Sequence, residues 1–145
     1  MKIVLQRVSR ASVEVDRRIV GSIDKGYVVL LGIGEGDDKS KIEKMVDKIQ
    51  KLRIFPDKNG KTNLSVGDVH GDILVVSQFT LYADCRKGNR PSFVNAATPS
   101  LAEELYNYFI EYAKYNFDKV EHGVFGASMK VELINDGPFT VILED

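Results

Sequence analysis

The side chains that could do chemistry are concentrated where an apolar segment gives way to polar residues. Residues 73–81 predict a strand: residues 73–76 are continuously apolar, as expected of a buried strand, and they are followed by Ser77, Gln78, Phe79 and Thr80. Hydroxyl and amide groups at a buried strand end cost free energy unless they are hydrogen-bonded. This end of the strand therefore either meets partners inside the fold or faces a ligand, and these residues alone leave both interpretations open.

A second unusual segment lies in the last apolar region of the chain. Residues 128–134 and 139–143 predict two strands, and the Gly137–Pro138 step lies between them, where a simple hairpin turn would suffice. Turn formation alone does not explain this step, so it favours a functional role for the polar segment that begins at Ser77.

The sequence contains no evident catalytic base or metal site. The two histidines, His70 and His122, lie beside turn residues, and a serine-hydrolase triad built on Ser77 or Thr80 would lack its base. Cys85 is the single cysteine, which excludes an internal disulfide and a Cys-rich zinc site. No His, Cys and Asp residues have metal-ligand spacing, so we expect neither a metal nor another cofactor.

A basic loop follows the polar segment, with Arg86, Lys87 and Arg90 arranged around Gly88. A charged surface loop is the simpler interpretation. The alternative is a grip on nucleic-acid phosphates. The net charge of −1, from 20 basic and 21 acidic residues, means that nucleic-acid binding would need such a local patch.

Length and composition indicate one globular domain over residues 1–145, with 43% hydrophobic and 28% charged residues. The N-terminal residues lack a signal-peptide core, and no apolar run approaches the length of a membrane span. We therefore expect a soluble cytoplasmic protein without a membrane partner.

Four short strands are predicted before the first helix, at residues 2–7, 11–15, 18–23 and 27–33. Their close spacing favours an antiparallel meander over alternating strand–helix units. The glycine-rich residues 32–36 match neither phosphate-binding fingerprint, so we interpret them as a flexible turn.

Two helices are predicted from their caps and apolar periodicity. The first is capped by Asp38 or by Ser40, which forms a capping-box pattern with Glu43. Its core-facing residues are Ile42, Met45, Val46, Ile49 and Leu52. The second begins with Pro99 and Ser100, and its predicted apolar stripe leaves Tyr106 and Tyr115 for the surface or an interface.

Two motifs taken together resemble the D-aminoacyl-tRNA deacylase family: residues 77–84 (SQFTLYAD) and residues 135–140 (NDGPFT). Shorter matches extend the resemblance along the chain, at residues 6–8, 11–13, 21–23, 87–93 and 125–127. Phe139 and Thr62 differ from the family pattern, which affects pocket shape at most. The resemblance implies an α/β, β-rich fold, in which a compact antiparallel β-barrel-like sheet carries two principal helices.

The resemblance also implies an oligomeric state and a reaction. It implies a homodimer in which a cis Gly137–Pro138 bond enters the partner's pocket and excludes L-amino acids. The reaction is hydrolysis of the ester that joins a D-amino acid, or glycine, to tRNA. This is a proofreading activity in translation.

Residue roles follow from the same resemblance. Backbone N–H groups around Phe79 and Thr80 would stabilise the oxyanion, while Ser77, Gln78 and Phe79 would position the adenosine and the ester. Thr80 is either a nucleophile or a packing residue beside a reaction assisted by the substrate's 2′-hydroxyl, and the missing base favours the second. The basic loop would hold the tRNA backbone, and a non-catalytic module that binds the tRNA 3′ end is the alternative function.

Overall fold

The computed structural model describes all 145 residues of the chain. Eight strands and two helices follow one another in this order: β1 (Lys2–Val15), β2 (Arg18–Ile23), β3 (Gly26–Gly32), α1 (Lys39–Lys51), β4 (Phe55–Pro56), β5 (Thr62–Leu64), β6 (Asp72–Ser77), α2 (Pro99–Lys114), β7 (Val120–His122) and β8 (Lys130–Glu144). A 3-10 turn, Phe79–Tyr82, follows β6.

The first two predicted strands are one. Residues 2–15 form the single strand β1, so the prediction of separate strands at 2–7 and 11–15 was wrong. The strand stays continuous because it has partners along its whole length: β3 pairs with its first half, β2 with its second half and β8 with both. Register shifts in the β8 pairing, near Val8, mark the break that the sequence suggested.

The sheet is mixed, and its order is β2-β1-β3-β6-β7, with β8 also paired to β1. The predicted meander is wrong, because β1 lies between β2 and β3. The pairs β3–β6 and β6–β7 are parallel, since helix-containing connections return the chain to the same end of the sheet.

The two ends of the sheet approach each other. A Cβ added to Gly21 of β2 would lie 3.0 Å from the carbonyl oxygen of His122 in β7, and Lys119 donates a hydrogen bond to the carbonyl oxygen of Ser22. The predicted fold class, a β-rich barrel-like sheet with two principal helices, is therefore confirmed, with a mixed sheet in place of a purely antiparallel one.

Helix α1 confirms four residues of its predicted stripe, since Ile42, Met45, Val46 and Ile49 are all buried, whereas Leu52 is half-buried at the C-cap position. Its N-cap is Asp38, whose carboxylate accepts a hydrogen bond from the backbone N–H of Lys41. The Ser40–Glu43 capping box does not form. Ser40 lies inside the first turn, and Glu43 instead accepts a hydrogen bond from the hydroxyl of Tyr108.

Helix α2 has Thr98 at its N-cap position and Pro99 in its first turn. The prediction that Tyr106 lies at the surface or an interface was wrong, because only 2% of this residue is exposed. Its hydroxyl donates to the carbonyl oxygens of Val75 and Gly123, at 3.0 and 3.2 Å, so burial leaves no polar group unpaired. Tyr115 is exposed, as predicted.

The last two predicted strands are also one, β8, with Gly137–Pro138 in its interior. The predicted buried face of residues 128–134 is incomplete, since Val131 is exposed and Leu133 only half-buried. The main core lies between the sheet and both helices, and a smaller cluster that includes Val13, Val28 and Leu74 lies inside the curled sheet. Neither helix is long and apolar enough to cross a membrane.

Candidate active site

The polar segment after β6 is a 3-10 turn and does not continue the strand. Strand β6 ends at Ser77, which pairs with Leu31 near the end of β3, so no neighbouring strand is available beyond it. The chain therefore turns: the N–H of Gln78 donates to the carbonyl oxygen of Leu31, and the N–H of Leu81 donates to that of Gln78. The sequence prediction of a strand reaching Leu81 was wrong for this reason.

Two backbone N–H groups at the start of the turn are not used in its own hydrogen bonds. The N–H groups of Phe79 and Thr80 precede its first internal hydrogen bond, so they have no acceptor within the turn. The hydroxyl of Thr80 is exposed and accepts a hydrogen bond from the side-chain amide of Gln78. An amide cannot take up a proton at neutral pH, and the hydroxyl has no other side-chain partner.

A cavity of about 480 Å³ opens beside this turn, and 11 of its 15 lining residues are hydrophobic. Ser77, Gln78 and Phe79 line it, and Thr80 does not. The opposite wall comes from distant parts of the chain: Ala96, Ala97, Pro99, Ala102, Phe125 and Met129 are among its residues. Such a cavity, apolar with a few polar groups at one edge, suits a flat aromatic group of a ligand.

The aromatic ring of Phe79 lies at the edge of this cavity and is half exposed. It meets the ring of Phe93 edge to face, with centroids 5.0 Å apart, and this contact holds it in place. Phe93 comes from the loop after the basic residues, so the loop and the turn support each other.

The Gly137–Pro138 bond is cis, which confirms the expectation from the resemblance. Both residues are exposed, and the buried side chain of Arg7 binds the segment next to them. The Nε of Arg7 donates to the carbonyl oxygen of Asp136 at 2.9 Å, and its guanidinium lies 4.9 Å from the ring centroid of Phe139.

Arg7 is a residue whose importance the sequence did not reveal. It is 8% exposed, and its Nη1 also donates to the carbonyl oxygen of Ile54. Asn135 completes the attachment, since its side-chain amide donates to the carbonyl oxygens of Arg7 and Phe139. The available signal was the position of Arg7 in alternation with Ile3 and Leu5, which places its side chain on the buried face of the strand, where a charge requires partners.

The Gly137–Pro138 segment lies far from the cavity of its own chain. Strand pairing places Ser77 level with Ile3 of β1, whereas Gly137 contacts Arg7, four residues further along. Four residues correspond to about 13 Å along the strand, and β8 and β6 are three strand spacings of about 4.8 Å apart. The structure thus does not bring the two predicted parts of the site together within one chain.

The three basic residues of the loop are exposed and lie outside the cavity. Arg86 forms a bidentate pair with Asp84, at 2.9 and 2.7 Å, and these hydrogen bonds hold the pKa of the Asp84 carboxyl well below its usual range. Lys87 and Arg90 form no ion pair within the chain. No group of three or more His, Cys, Asp or Glu side chains is placed to hold a metal ion.

Known proteins are similar to this chain over nearly its whole length. A family model described as D-Tyr-tRNA(Tyr) deacylase matches residues 4–144. A D-aminoacyl-tRNA deacylase of Thermosipho melanesiensis is 54% identical, covering 99% of this chain and 97% of the relative. One of Lactobacillus acidophilus is also 54% identical and covers 99% of both chains.

A solved structure has nearly the same fold. That of a c-Myc DNA unwinding element binding protein has a TM-score of 0.94 at 44% identity, covering 100% of this chain and 99% of the other. Because the family model and the relatives extend over nearly the whole chain, it belongs to the D-aminoacyl-tRNA deacylase family, enzymes that hydrolyse D-aminoacyl-tRNA.

Proposed function

We propose that the ester of D-aminoacyl-tRNA is hydrolysed beside the Phe79–Tyr82 turn, with the terminal adenosine of tRNA in the adjoining cavity. The observation that carries this assignment is the position of the turn, whose first residue, Phe79, lines an apolar cavity and whose first two N–H groups have no acceptor within the turn. Ser77 and Gln78 supply polar groups at that edge, and the apolar walls accept the adenine ring.

The N–H groups of Phe79 and Thr80 are the proposed oxyanion donors. As water attacks the ester carbonyl, negative charge develops on its oxygen, and donors already fixed in place stabilise that charge without reorganising. Each such donor is typically worth about 10²–10³ in rate. The proposal involves backbone atoms, so it does not depend on the ionisation of any side chain, and it requires no metal or other cofactor.

Thr80 has two possible roles, nucleophile or packing residue, and the second is proposed. Its hydroxyl contacts an amide rather than a base, so it lacks a group that could accept its proton. The substrate's own 2′-hydroxyl, or a water that it orients, would assist the attack instead. Near-normal turnover by Thr80→Val would exclude the nucleophile, whereas normal rates with a terminal 2′-deoxyadenosine would exclude assistance by the substrate.

A homodimer is proposed because the site is divided in a single chain. The Gly137–Pro138 segment is exposed and distant from its own cavity, so a second copy is needed to place it beside the Phe79 turn of a partner. An apolar strip on the sheet supports this arrangement. Ile142 is 68% exposed, and its strand neighbours Val4 and Leu30 are half-buried.

The proposed function of this segment is stereochemical selection. Its main-chain carbonyl groups would face the α-carbon of the bound amino acid and leave no room for an L side chain, whereas a D side chain points away. Arg7 and Asn135 fix the segment from below, so the backbone cannot yield as a flexible side chain would. Glycine has no side chain to exclude, and glycyl-tRNA is therefore a proposed second substrate.

Complementation between two defective variants tests the divided site. Gly137→Ala disturbs the segment proposed to exclude L-amino acids, so its homodimer should release amino acid from L-aminoacyl-tRNA. Gln78→Ala alters the cavity edge, so its homodimer should release little from either form. In a statistical mixture, half of the intact cavities of the Gly137→Ala chains face the intact segment of a Gln78→Ala partner, so release from the L form per Gly137→Ala chain should fall by about half. The two variants mixed without exchange of subunits serve as the control. An unchanged rate of L release after exchange would contradict the shared site.

Contacts to the tRNA backbone are proposed for Arg86, Lys87 and Arg90. Lys87 and Arg90 are exposed and free of ion pairs, so they can approach phosphates directly. Replacing both by Ala should lower the slope of log K against log salt concentration by about 2, since each phosphate contact contributes about 1. An unchanged slope would place the RNA-binding surface elsewhere. Because the proposed partner is tRNA, the proposed location is the cytoplasm.

Amino-acid release from matched D- and L-aminoacyl-tRNA, with metal chelated, tests the whole proposal. Rapid release from the D form alone supports the deacylase and its selection together. Equal release from both forms would leave an esterase without the selection role of Gly137 and Pro138. Slower loss of the ester than in buffer would favour a non-catalytic module that binds the tRNA 3′ end.

A further inference from the structure

The glycine-rich residues after β3 lie directly against the proposed catalytic turn. Gly34 is in contact with the ring of Tyr82, the last residue of the turn. A Cβ added to Gly34 would lie 2.3 Å from Oη and 2.5 Å from Cζ of Tyr82. Real Cβ atoms essentially never come closer than 3.0 Å to another heavy atom, so only glycine allows the ring to occupy this position.

Gly32 contacts the other end of the same turn. Its added Cβ would lie 3.1 Å from the carbonyl oxygen of Gln78 and 3.1 Å from Cβ of Leu81. The turn therefore rests on two glycines, one near its first residue and one beneath its last. This close packing, rather than flexibility, accounts for both glycines, and it corrects the interpretation of residues 32–36 as a flexible turn.

Gly34 is itself held by a buried carboxylate. The N–H of Gly34 donates to Oδ2 of Asp37 at 2.7 Å, and Asp37 is 6% exposed. Its other oxygen, Oδ1, pairs with the amino group of Met1 at 2.8 Å and with Nζ of Lys41 at 3.2 Å. A buried carboxylate with several charged partners keeps its position, because losing any one of them leaves charge unpaired.

The ring of Tyr82 is correspondingly fixed. It is half-buried, and burial, followed by the nearby Asp37 carboxylate, raises the pKa of its hydroxyl to about 12. The phenol is therefore neutral at physiological pH. Because backbone hydrogen bonds join the residues of the turn, a backbone shift that relieves a clash at Tyr82 also moves Phe79 and Thr80.

We infer that Gly32, Gly34 and Tyr82 are positioning residues for the reaction: the contact of Tyr82 with Gly34 orients the N–H groups of Phe79 and Thr80 towards the cavity. This inference rests on the proposed oxyanion role of those groups. It concerns the orientation of the turn and not the binding of substrate, so its effects should appear in kcat.

Gly34→Ala is the central test. The added methyl group displaces the Tyr82 ring, and kcat for D-aminoacyl-tRNA should fall by about 10²-fold, the loss typical of a misplacement of about 1 Å. KM should change by less than about threefold, because the cavity walls are untouched. Gly67→Ala is the matched control: its added Cβ has only Ser65 Oγ, at 3.8 Å, nearby, so its kcat should equal that of wild type.

A second substitution should restore the turn if the steric contact is the cause. Leu lacks the three Tyr82 atoms closest to the added Cβ. The kcat of Gly34→Ala/Tyr82→Leu should therefore be about tenfold higher than that of Gly34→Ala. Lower kcat in the double variant than in Gly34→Ala would overturn the inference. If Gly34→Ala does not fold, Gly32→Ala is used, because its 3.1 Å contacts need only a small adjustment and should cost severalfold in kcat.

Backbone amide chemical shifts separate this inference from the catalytic assignment. The Phe79 and Thr80 amide resonances should move in Gly34→Ala and stay in place in Gly67→Ala. Unmoved resonances would overturn the positioning role whatever the rate. Moved resonances with an unchanged kcat would support the contact between Gly34 and the turn while contradicting the oxyanion role of the two N–H groups.

Discussion

The Phe79–Tyr82 turn and the Gly137–Pro138 segment are built in opposite ways. The turn ends a central strand, borders a cavity of its own chain and packs against Gly32 and Gly34. The Gly137–Pro138 segment interrupts a long strand, is exposed and does not line the cavity beside the turn. The difference teaches that groups proposed to speed the reaction are placed by local packing, whereas the proposed selection group is a rigid protrusion available to another molecule.

Each region depends on one buried polar side chain. Arg7 binds the Gly137–Pro138 segment through the carbonyl oxygen of Asp136, and Tyr106 binds β6 through the carbonyl oxygen of Val75, two residues before the strand ends. Arg7 carries a charge and several partners, while Tyr106 is neutral. Removing the Arg7 side chain should therefore lower the free energy of unfolding more than removing the Tyr106 hydroxyl.

The largest expected effect comes from Gly137→Ala. Gly137 has φ +135°, a backbone conformation that residues with a Cβ rarely adopt, and an added Cβ would lie 2.7 Å from Nη2 of Arg7. Alanine at this position therefore costs about 1–3 kcal/mol unless the backbone of the segment shifts. The ratio of kcat/KM for D- over L-aminoacyl-tRNA should then fall by about 10- to 100-fold. Gly34→Ala should lower the D rate without changing that ratio. An unchanged ratio in Gly137→Ala would mean that the Gly137–Pro138 segment does not select between D- and L-amino acids.

Arg7→Ala should have the largest effect on stability. It leaves the carbonyl oxygens of Ile54 and Asp136 unpaired and removes the guanidinium between the rings of Phe55 and Phe139. We expect the free energy of unfolding to fall by about 2–4 kcal/mol, measured by urea denaturation. Arg10→Ala, at an exposed arginine of the same strand, is the control and should cost little. Equal losses would argue against Arg7 as the anchor.

Tyr106→Phe should have a smaller effect. The ring is kept, but the carbonyl oxygen of Gly123 loses this donor and that of Val75 keeps only the backbone N–H of Gly123, so the free energy of unfolding should fall by about 0.5–1.5 kcal/mol. Tyr115→Phe, at an exposed hydroxyl, should be neutral. The D over L ratio should not change in Tyr106→Phe, and a change would couple β6 to stereochemical selection.

The smallest expected effect is a loss of stability at alkaline pH. Burial raises the pKa values of Tyr27, Tyr82 and Tyr106, that of Tyr82 to about 12, so the folded state keeps protons that unfolded tyrosines lose near pH 10. Since the folded state then binds more protons than the unfolded state, the free energy of unfolding falls as pH rises from about 10 to about 12. Urea titrations across this range should show a weaker pH dependence in Tyr106→Phe.

Much of the local structure could be predicted from the sequence. The buried stripe of α1 followed from apolar spacing, and the β-rich fold class and the cis Gly137–Pro138 bond followed from family resemblance. Predictions failed where long-range contacts decide the outcome. Tyr106 was assigned to the surface or an interface from its helical position, but its hydroxyl binds two carbonyl oxygens outside its helix, in the core.

The sequence by itself determined which residues are available for chemistry: a polar segment from Ser77 to Thr80, no base beside it, and a Gly-Pro step near the end of the chain. These are properties of residue type and order. Only the tertiary structure decided that Gly34 packs against Tyr82, that Arg7 holds the Gly137–Pro138 segment, and that this segment lies away from its own cavity. Such contacts join residues far apart in the chain, and their geometry depends on strand register, which local spacing does not specify.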